Sequence, residues 1–159
     1  MNIFIESHQQ LLQRLLQHQV NFMLIGGYAV IFYGYKRTTG DMDLWIEPNN
    51  ENKHRLIKAL EEFEFNQEDI NHISDLDFTK HLAFNFWEEP QRVDCITYVS
   101  NVSFDDAYKA KVICDIEGIN VPIIHYNHLI QSKITSERLK DKADVEELQK
   151  INKLKKNKN

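Results

Sequence analysis

The order of apolar and polar positions predicts helices alternating with strands. From Glu6 to Gln17, Leu11, Leu12, Leu15 and Leu16 form one stripe at helical spacing, with Gln9, Gln13 and Gln17 off it. Asn21-Phe22-Met23-Leu24-Ile25 is a short unbroken apolar run ended by Gly26-Gly27, the pattern of a buried strand followed by a glycine turn. Tyr28 to Tyr35 predicts a short helix that stops near Gly34. Asp41 to Glu47 alternates, with Asp41, Asp43 and Trp45 on one face of a strand and Met42, Leu44 and Ile46 on the other. Pro48 ends that strand, and Asn50 is placed to cap a helix reaching about Phe63. Residues 64–80 are polar and weakly periodic, and predict a long loop with room for one short helical turn.

His81 to Trp87 and Arg92 to Val99 flank Glu88-Glu89-Pro90-Gln91 and predict an antiparallel hairpin. Ser103 is placed to cap a short helix, Phe104 to Lys109. Lys111 to Ile116 and Val121 to His125 flank Glu117-Gly118-Ile119-Asn120 as a second hairpin-like pair. Asn127 to Ser136 and Leu139 to about Leu154 read as closing helices. The sum is an α/β (α+β) domain, a mixed β-sheet flanked by helices with further helices at the C-terminal end. A length of 159 residues suits one domain, expected over 1–150, with 151–159 as a basic, flexible tail.

Charge and composition narrow the function classes. A net charge of −5 removes a whole-molecule basic footprint for nucleic acid. The lysines at 150, 153, 155, 156 and 158 are the exception; such a run can touch RNA phosphates, but reads first as a solvated helix end. Cys95 and Cys114 lack metal-ligand spacing and read as small apolar residues in a reducing compartment. The start, Met1 to Glu6, lacks the basic and apolar regions of a signal peptide, and no apolar run approaches the ~18–20 residues that span a bilayer. A cytoplasmic protein without a membrane partner is expected. His125 and His128 fall at a strand-to-helix boundary with no third ligand in register, so zinc is not expected.

The candidate chemistry lies between the first two strands. Alternate strand residues are about 6.5–7 Å apart, so Asp41 and Asp43 project into one space. Two such anions repel, and a hard divalent cation removes the conflict; Mg²⁺ binds through one or two carboxylates and completes its octahedron with water and phosphate. Gly26 and Gly27 let the backbone approach a ligand, and a helix starting there would point free N–H groups at phosphate.

Strand, Gly-Gly, helix and D-x-D strand in that order resemble the nucleotidyltransferase superfamily related to DNA polymerase β. The signature reads Met23-Leu24-Ile25-Gly26-Gly27, then thirteen residues, then Asp41-Met42-Asp43-Leu44. Arg37-Thr38-Thr39 resembles the Arg-x-Thr of minimal bacterial and toxin-type members. Val93-Asp94-Cys95-Ile96 matches the apolar-Asp-apolar strand that supplies a third carboxylate. Lys133, then Arg138-Leu139-Lys140-Asp141 and Asp144, looks like the K…R-x-K-D-x-x-D helix pair of the toxin-like branch.

The resemblance implies a two-metal Mg²⁺ site, with Mn²⁺ as the alternative ion, held by Asp41, Asp43 and Asp94. It also implies an NTP (ATP among them) bound by Gly26, Gly27, Arg37, Thr39 and Lys133. The reaction expected is transfer of a nucleoside monophosphate to an acceptor hydroxyl, with pyrophosphate released. RNA, protein and a small molecule stay open as acceptors, and an antitoxin-type protein partner is compatible with the toxin-like features. Asp94 has an alternative reading as a strand carboxylate paired with Arg92 or Lys111, and Lys133 one as a solvated helix lysine. Asn85 should lie opposite Asp94 and could orient it. Arg138 with Asp141 or Asp144 reads first as a structural cluster along a helix. Tyr28, Tyr33 and Tyr35 could stack a base but read first as core. The competing function is a non-catalytic relative that binds a nucleotide or a partner protein.

Overall fold

The computed structural model describes residues 4–158, so Met1 to Ile3, half of the segment read for a signal peptide, and Asn159 of the tail lie outside the described residues. Six strands form one mixed sheet: β1 (Phe22–Ile25), β2 (Met42–Ile46), β3 (Ala83–Phe86), β4 (Val93–Ile96), β5 (Val112–Ile116) and β6 (Ile119–Ile123). Their spatial order is β3-β4-β2-β1-β6-β5. Pairing is antiparallel within β1/β2, β3/β4 and β5/β6, and parallel for β2/β4 and β1/β6. Seven helices surround it: α1 (Glu6–Gln17), α2 (Gly26–Phe32), α3 (Asn50–Leu60), α4 (Gln67–Ser74), α5 (Phe104–Lys109), α6 (Tyr126–Lys133) and α7 (Leu139–Asn157). The α/β class with a mixed sheet, read from periodicity, is the class observed.

Helices α1 and α5 have the bounds that their stripe and cap predict. Several local expectations differ, among them the start of α2, which is Gly26 rather than Tyr28. The cap of α3 is Asn49, whose side chain accepts the Asn52 N–H at 2.8 Å. Asn50 instead accepts from Phe78 N–H at 2.9 Å and joins α3 to the 77–78 segment. Residues 67–74, expected as loop, form α4, because Asn66 caps them and Ile70 and Ile73 are buried. The β5/β6 turn is two residues rather than four, since Glu117 and Gly118 both take positive φ (50° and 86°), the conformation that closes tight hairpins. Helix α7 runs unbroken across position 150 to Asn157.

Buried polar side chains tie the layers together. Asn52 is fully buried; its Oδ1 accepts Asn21 N–H at 2.8 Å, and its Nδ2 donates to the carbonyls of Asn21 (3.0 Å) and Glu47 (3.2 Å). One amide thus holds α3 against the entrance to β1 and the exit of β2. Lys53 Nζ donates to the carbonyls of Ser74 and Leu76, both at 2.8 Å, satisfying the C-terminal end of α4. The indole of Trp45 on β2 meets Phe104 of α5 edge-on at 5.4 Å, so α5 covers the sheet face on which Asp43 also lies.

Removing the Asn52 amide strands the Asn21 N–H, while the carbonyls of Asn21 and Glu47 keep the N–H donors of Glu47 and Asn49. Asn52→Ala is expected to cost about 1–3 kcal/mol, read as a lowered midpoint in urea unfolding. A loss below about 0.5 kcal/mol would mean that these hydrogen bonds do not fix α3 to the sheet.

Candidate active site

Strand register builds the site around Asp43. It pairs with Ile25 across the antiparallel β1/β2 ladder and with Asp94 across the parallel β2/β4 ladder. Neighbouring strands are about 4.8 Å apart, so the Asp43 and Asp94 side chains leave the same face side by side. Asp41 lies just before β2, where Thr39 Oγ1 donates to its carbonyl at 3.4 Å. These three carboxylates, together with Gly26, Gly27, Arg37, Thr39 and Lys133, line one open cleft of about 640 Å³. All eight residues expected from the sequence to bind metal or nucleotide therefore line the same cleft.

The glycines act differently from the sequence reading. Gly26 has φ +66°, and a Cβ there would overlap the Asp43 carboxylate; a Cβ on Gly27 would overlap the Thr39 hydroxyl. The space their missing side chains leave is filled by the site's own polar groups. The turn thereby lets Asp43 and Thr39 sit directly against the first turn of α2.

Burial and like charge act together on Asp43. Its carboxyl is pushed up to about 6, first by burial, then by the charges of Asp94 and Asp41, with Lys133 and Lys140 pulling the other way. Asp94 has a partner of its own: Arg92 Nε and Nη2 donate to Oδ1 at 3.1 and 3.0 Å. The pairing read as an alternative and the cleft-facing position therefore hold at once. Asn85 does pair with Asp94 in register, but it is solvent-exposed and Arg92 makes the orienting bond.

Two residues that contribute here escaped the sequence reading. Glu89, in the β3/β4 loop, lines the cleft, and its carboxyl is raised first by a hydrogen bond shared with Asp41. Only its place in an acidic hairpin loop hinted at it. His8 on α1 is fully buried, and its Nε2 lies 2.8 Å from the Gln91 carbonyl, pinning the loop that leads into β4. Burial lowers its pKa and favours the neutral ring, which donates Nε2–H to that carbonyl. The stripe of α1 places His8 one turn before Leu11 and Leu12, a signal that helical spacing carries.

The cationic side is an ion network centred on Asp144, which is 1% exposed. Arg37 Nη2 donates to Asp144 Oδ2 at 3.3 Å, and Arg37 Nε lies 3.0 Å from Oδ1 in an ion contact too bent for a hydrogen bond. Lys133 Nζ reaches Asp141 Oδ1 at 2.7 Å and Asp144 Oδ2 at 3.3 Å, and Ser136 Oγ donates to Asp141 Oδ2 at 2.7 Å. Asp141 and Asp144 thus pair with Lys133 and Arg37 across elements, not with Arg138 along α7 as the spacing suggested. The α7 register turns both carboxylates toward α6, while Arg138 stays at the cleft rim. The tyrosines are core groups: Tyr28 is 4% exposed beside Phe4, and Tyr33 donates to the Ile124 carbonyl at 2.7 Å.

The donor set fits a hard divalent cation. All candidate ligands are carboxylate oxygens, and the repulsion that raises Asp43 is the one such an ion relieves. Among the described residues no three His, Cys, Asp or Glu side chains are grouped to hold an ion unaided. Mg²⁺ does not need that, since water and substrate phosphate complete its shell.

Residues 5–159 match the model of the family described as nucleotidyl transferase of unknown function (DUF2204). The chain belongs to this nucleotidyl transferase family. Its fold is that of two solved nucleotidyltransferase structures. One is the lincosamide antibiotic adenylyltransferase LnuA with lincomycin bound, at TM-score 0.55 and 15% identity over 95% of this chain and 99% of that one. The other, from Thermotoga maritima and provisionally assigned as a nucleotidyltransferase, has TM-score 0.56 and 12% identity over 94% of this chain and 91% of that one. No curated protein matches the sequence significantly. Among the described residues of this family member, no helix is long and apolar enough to cross a membrane.

The raised Asp43 carboxyl has a sign that can be tested. It protonates near pH 6 when folded and near 3.8 otherwise, so the folded state holds the extra proton between these values. Without divalent ions, stability from this group falls as pH rises from about 4 to about 6, by roughly 3 kcal/mol in all. Asp43→Asn is therefore expected to be about 1–3 kcal/mol more stable than wild type at pH 7.5 in EDTA, and nearly equal to it at pH 4. Urea unfolding at both pH values checks this; a variant less stable than wild type at pH 7.5 contradicts it.

Proposed function

We propose that the protein is a Mg²⁺-dependent nucleotidyltransferase that moves a nucleoside monophosphate from an NTP to an acceptor hydroxyl and releases pyrophosphate. The observation that carries this reading is the placement of Asp43 between the Gly26 turn and Asp94, at one cleft with Asp41 and Lys133. Asp41, Asp43 and Asp94 are the residues to hold the divalent ions, Mg²⁺ or Mn²⁺ in its place. When bound, such ions neutralise phosphate charge and polarise the reacting oxygens.

The chain's own groups then position and move protons. The acceptor oxygen forms a bond to the α-phosphorus while the bond from that phosphorus to the β-bridging oxygen breaks, and its electron pair leaves with pyrophosphate. Arg92 occupies Asp94 Oδ1, which leaves Oδ2 to take the acceptor's proton. Gly26, Gly27 and Thr39 form the wall beside the phosphates, with Arg37 and Lys133 behind it. Rate enhancement comes from positioning and charge compensation. The adenylyltransferase among the structural neighbours makes ATP the first donor to test. A small-molecule hydroxyl, RNA and protein are the acceptor classes.

The protein is incubated with each α-labelled NTP and Mg²⁺, alone and with cell extract. Label should pass to an acceptor, and Asp43→Ala should lower transfer by about 100-fold or more. Asp94→Asn should lose transfer while retaining NTP binding. Wild-type protein that shows no metal-dependent NTP binding would sink the proposal; binding without transfer to any acceptor would favour a regulatory nucleotide-binding module.

A further inference from the structure

Four basic side chains line the cleft, Arg37, Lys133, Arg138 and Lys140, and their charges are not equally available. Arg37 and Lys133 are inner residues, with side chains 13% and 12% exposed. Both are bound to carboxylates that are themselves secluded, Asp144 and Asp141. Two cations against two carboxylates leave that network with no net charge to offer an incoming anion. An additional phosphate would have to compete with contacts of 2.7–3.3 Å already made.

Arg138 and Lys140 present the opposite case. Both line the same cleft, both are exposed, and among the described residues neither side chain has an ion-pair or hydrogen-bond partner. Arg138 is the first residue before α7 and Lys140 the second residue of that helix, so a short rigid segment carries both. Lys140 reaches furthest inward: it is one of two cations whose charge acts on Asp43, while Arg138 acts on Asp141 at the edge of the wall network. The cleft thus has an anionic floor formed by Asp43 and Asp94, and an uncompensated cationic rim at the start of α7.

We propose that Arg138 and Lys140 are the residues that grip the β- and γ-phosphates of the nucleoside triphosphate, while Arg37 and Lys133 form a neutralised scaffold that shapes the wall behind them. This rests on the nucleotidyl-transfer reading and assigns its phosphate contacts. Arginine supplies a planar fork for phosphate oxygens and lysine a mobile point charge, a pairing suited to a group that must be held and then released as pyrophosphate. Because neither side chain supports the fold, the protein spends no native contact in binding the anion.

The test compares a non-hydrolysable ATP analogue with AMP, each titrated with Mg²⁺ into wild type, R138Q/K140Q and the charge-preserving R138K/K140R. Wild type should favour the triphosphate. R138Q/K140Q should bind it about tenfold or more weakly, with AMP binding changed by no more than about twofold. R138K/K140R should retain most of the preference. Thermal midpoints of both variants should stay within about 2 °C of wild type, because the substituted side chains are exposed and unpaired. K142Q, a control lysine outside the cleft, should leave the preference unchanged. Wild-type preference surviving intact in R138Q/K140Q would overturn this assignment alone. Wild type that binds neither nucleotide would overturn the nucleotidyl-transfer reading and this assignment with it.

Discussion

The parallel pairing of β2 with β4 places a half-buried carboxylate directly beside a second one, and the remainder of the molecule is arranged to sustain that placement. Asp43 faces Asp94, while the flanking pairs Met42 with Val93 and Leu44 with Cys95 are completely buried on the opposite face. Each fully buried apolar side chain of this size contributes roughly 1.5–3 kcal/mol, so the ladder outweighs the repulsion between two carboxylates. Met42 N–H donates to Arg92 O at 3.1 Å, and His8 pins the adjoining Gln91 carbonyl, so the register is held from both sides. The result is a stored electrostatic conflict at the floor of the cleft, visible in the raised Asp43 carboxyl. A cation or a proton resolves it, and at neutral pH only the first is plentiful.

The opposite wall solves a different problem. Asp144 is almost inaccessible, and a buried lone carboxylate would be unstable without charged partners. Arg37 from the segment before β2 and Lys133 from the end of α6 both reach it. Three separate parts of the chain are thereby fastened at one point, and the Arg37 contact holds the Thr39-Gly40 approach to Asp41 in place. A buried network of this kind contributes more to a defined geometry than to net stability. The cleft has one half organised by strand register and another organised by paired charge.

Periodicity and turn residues revealed most of this fold because local pattern and tertiary demand agree along most of the chain. The stripe of α1, the alternation of β2 and the β3/β4 register with Asn85 opposite Asp94 all follow from spacing alone. Helix α4 was hidden because only Ile70 and Ile73 of its eight residues are buried, too few to show a period among polar neighbours. Asn49 and Asn50 are adjacent residues of the same type, and only contact with Phe78 separates the cap from the bridge. The cleft carboxylates were legible because Asp41 and Asp43 form a short D-x-D motif and Asp94 stands alone in an apolar strand. Glu89 and the pairing of Arg37 with Asp144 were not, since one comes from an irregular loop and the other joins residues 107 positions apart.

At the glycine pair the structure adds a packing reason that the sequence pattern does not carry. Absence of a side chain suggests room for a ligand, yet the volume at Gly26 belongs to Asp43 and that at Gly27 to Thr39. The two glycines bring the polar groups of the β2 approach hard against the first turn of α2, which fixes the carboxylate relative to the backbone. Such rigidity suits the proposed reacting centre, where displacement of an ångström would lower rate steeply. The rim has the reverse property, with Arg138 and Lys140 exposed and unpaired beside a buried network that cannot move without breaking ion contacts. The proposed transfer must hold the transferred phosphorus still and let its leaving group go, and a fixed floor under an adaptable rim would divide those two demands between different residues.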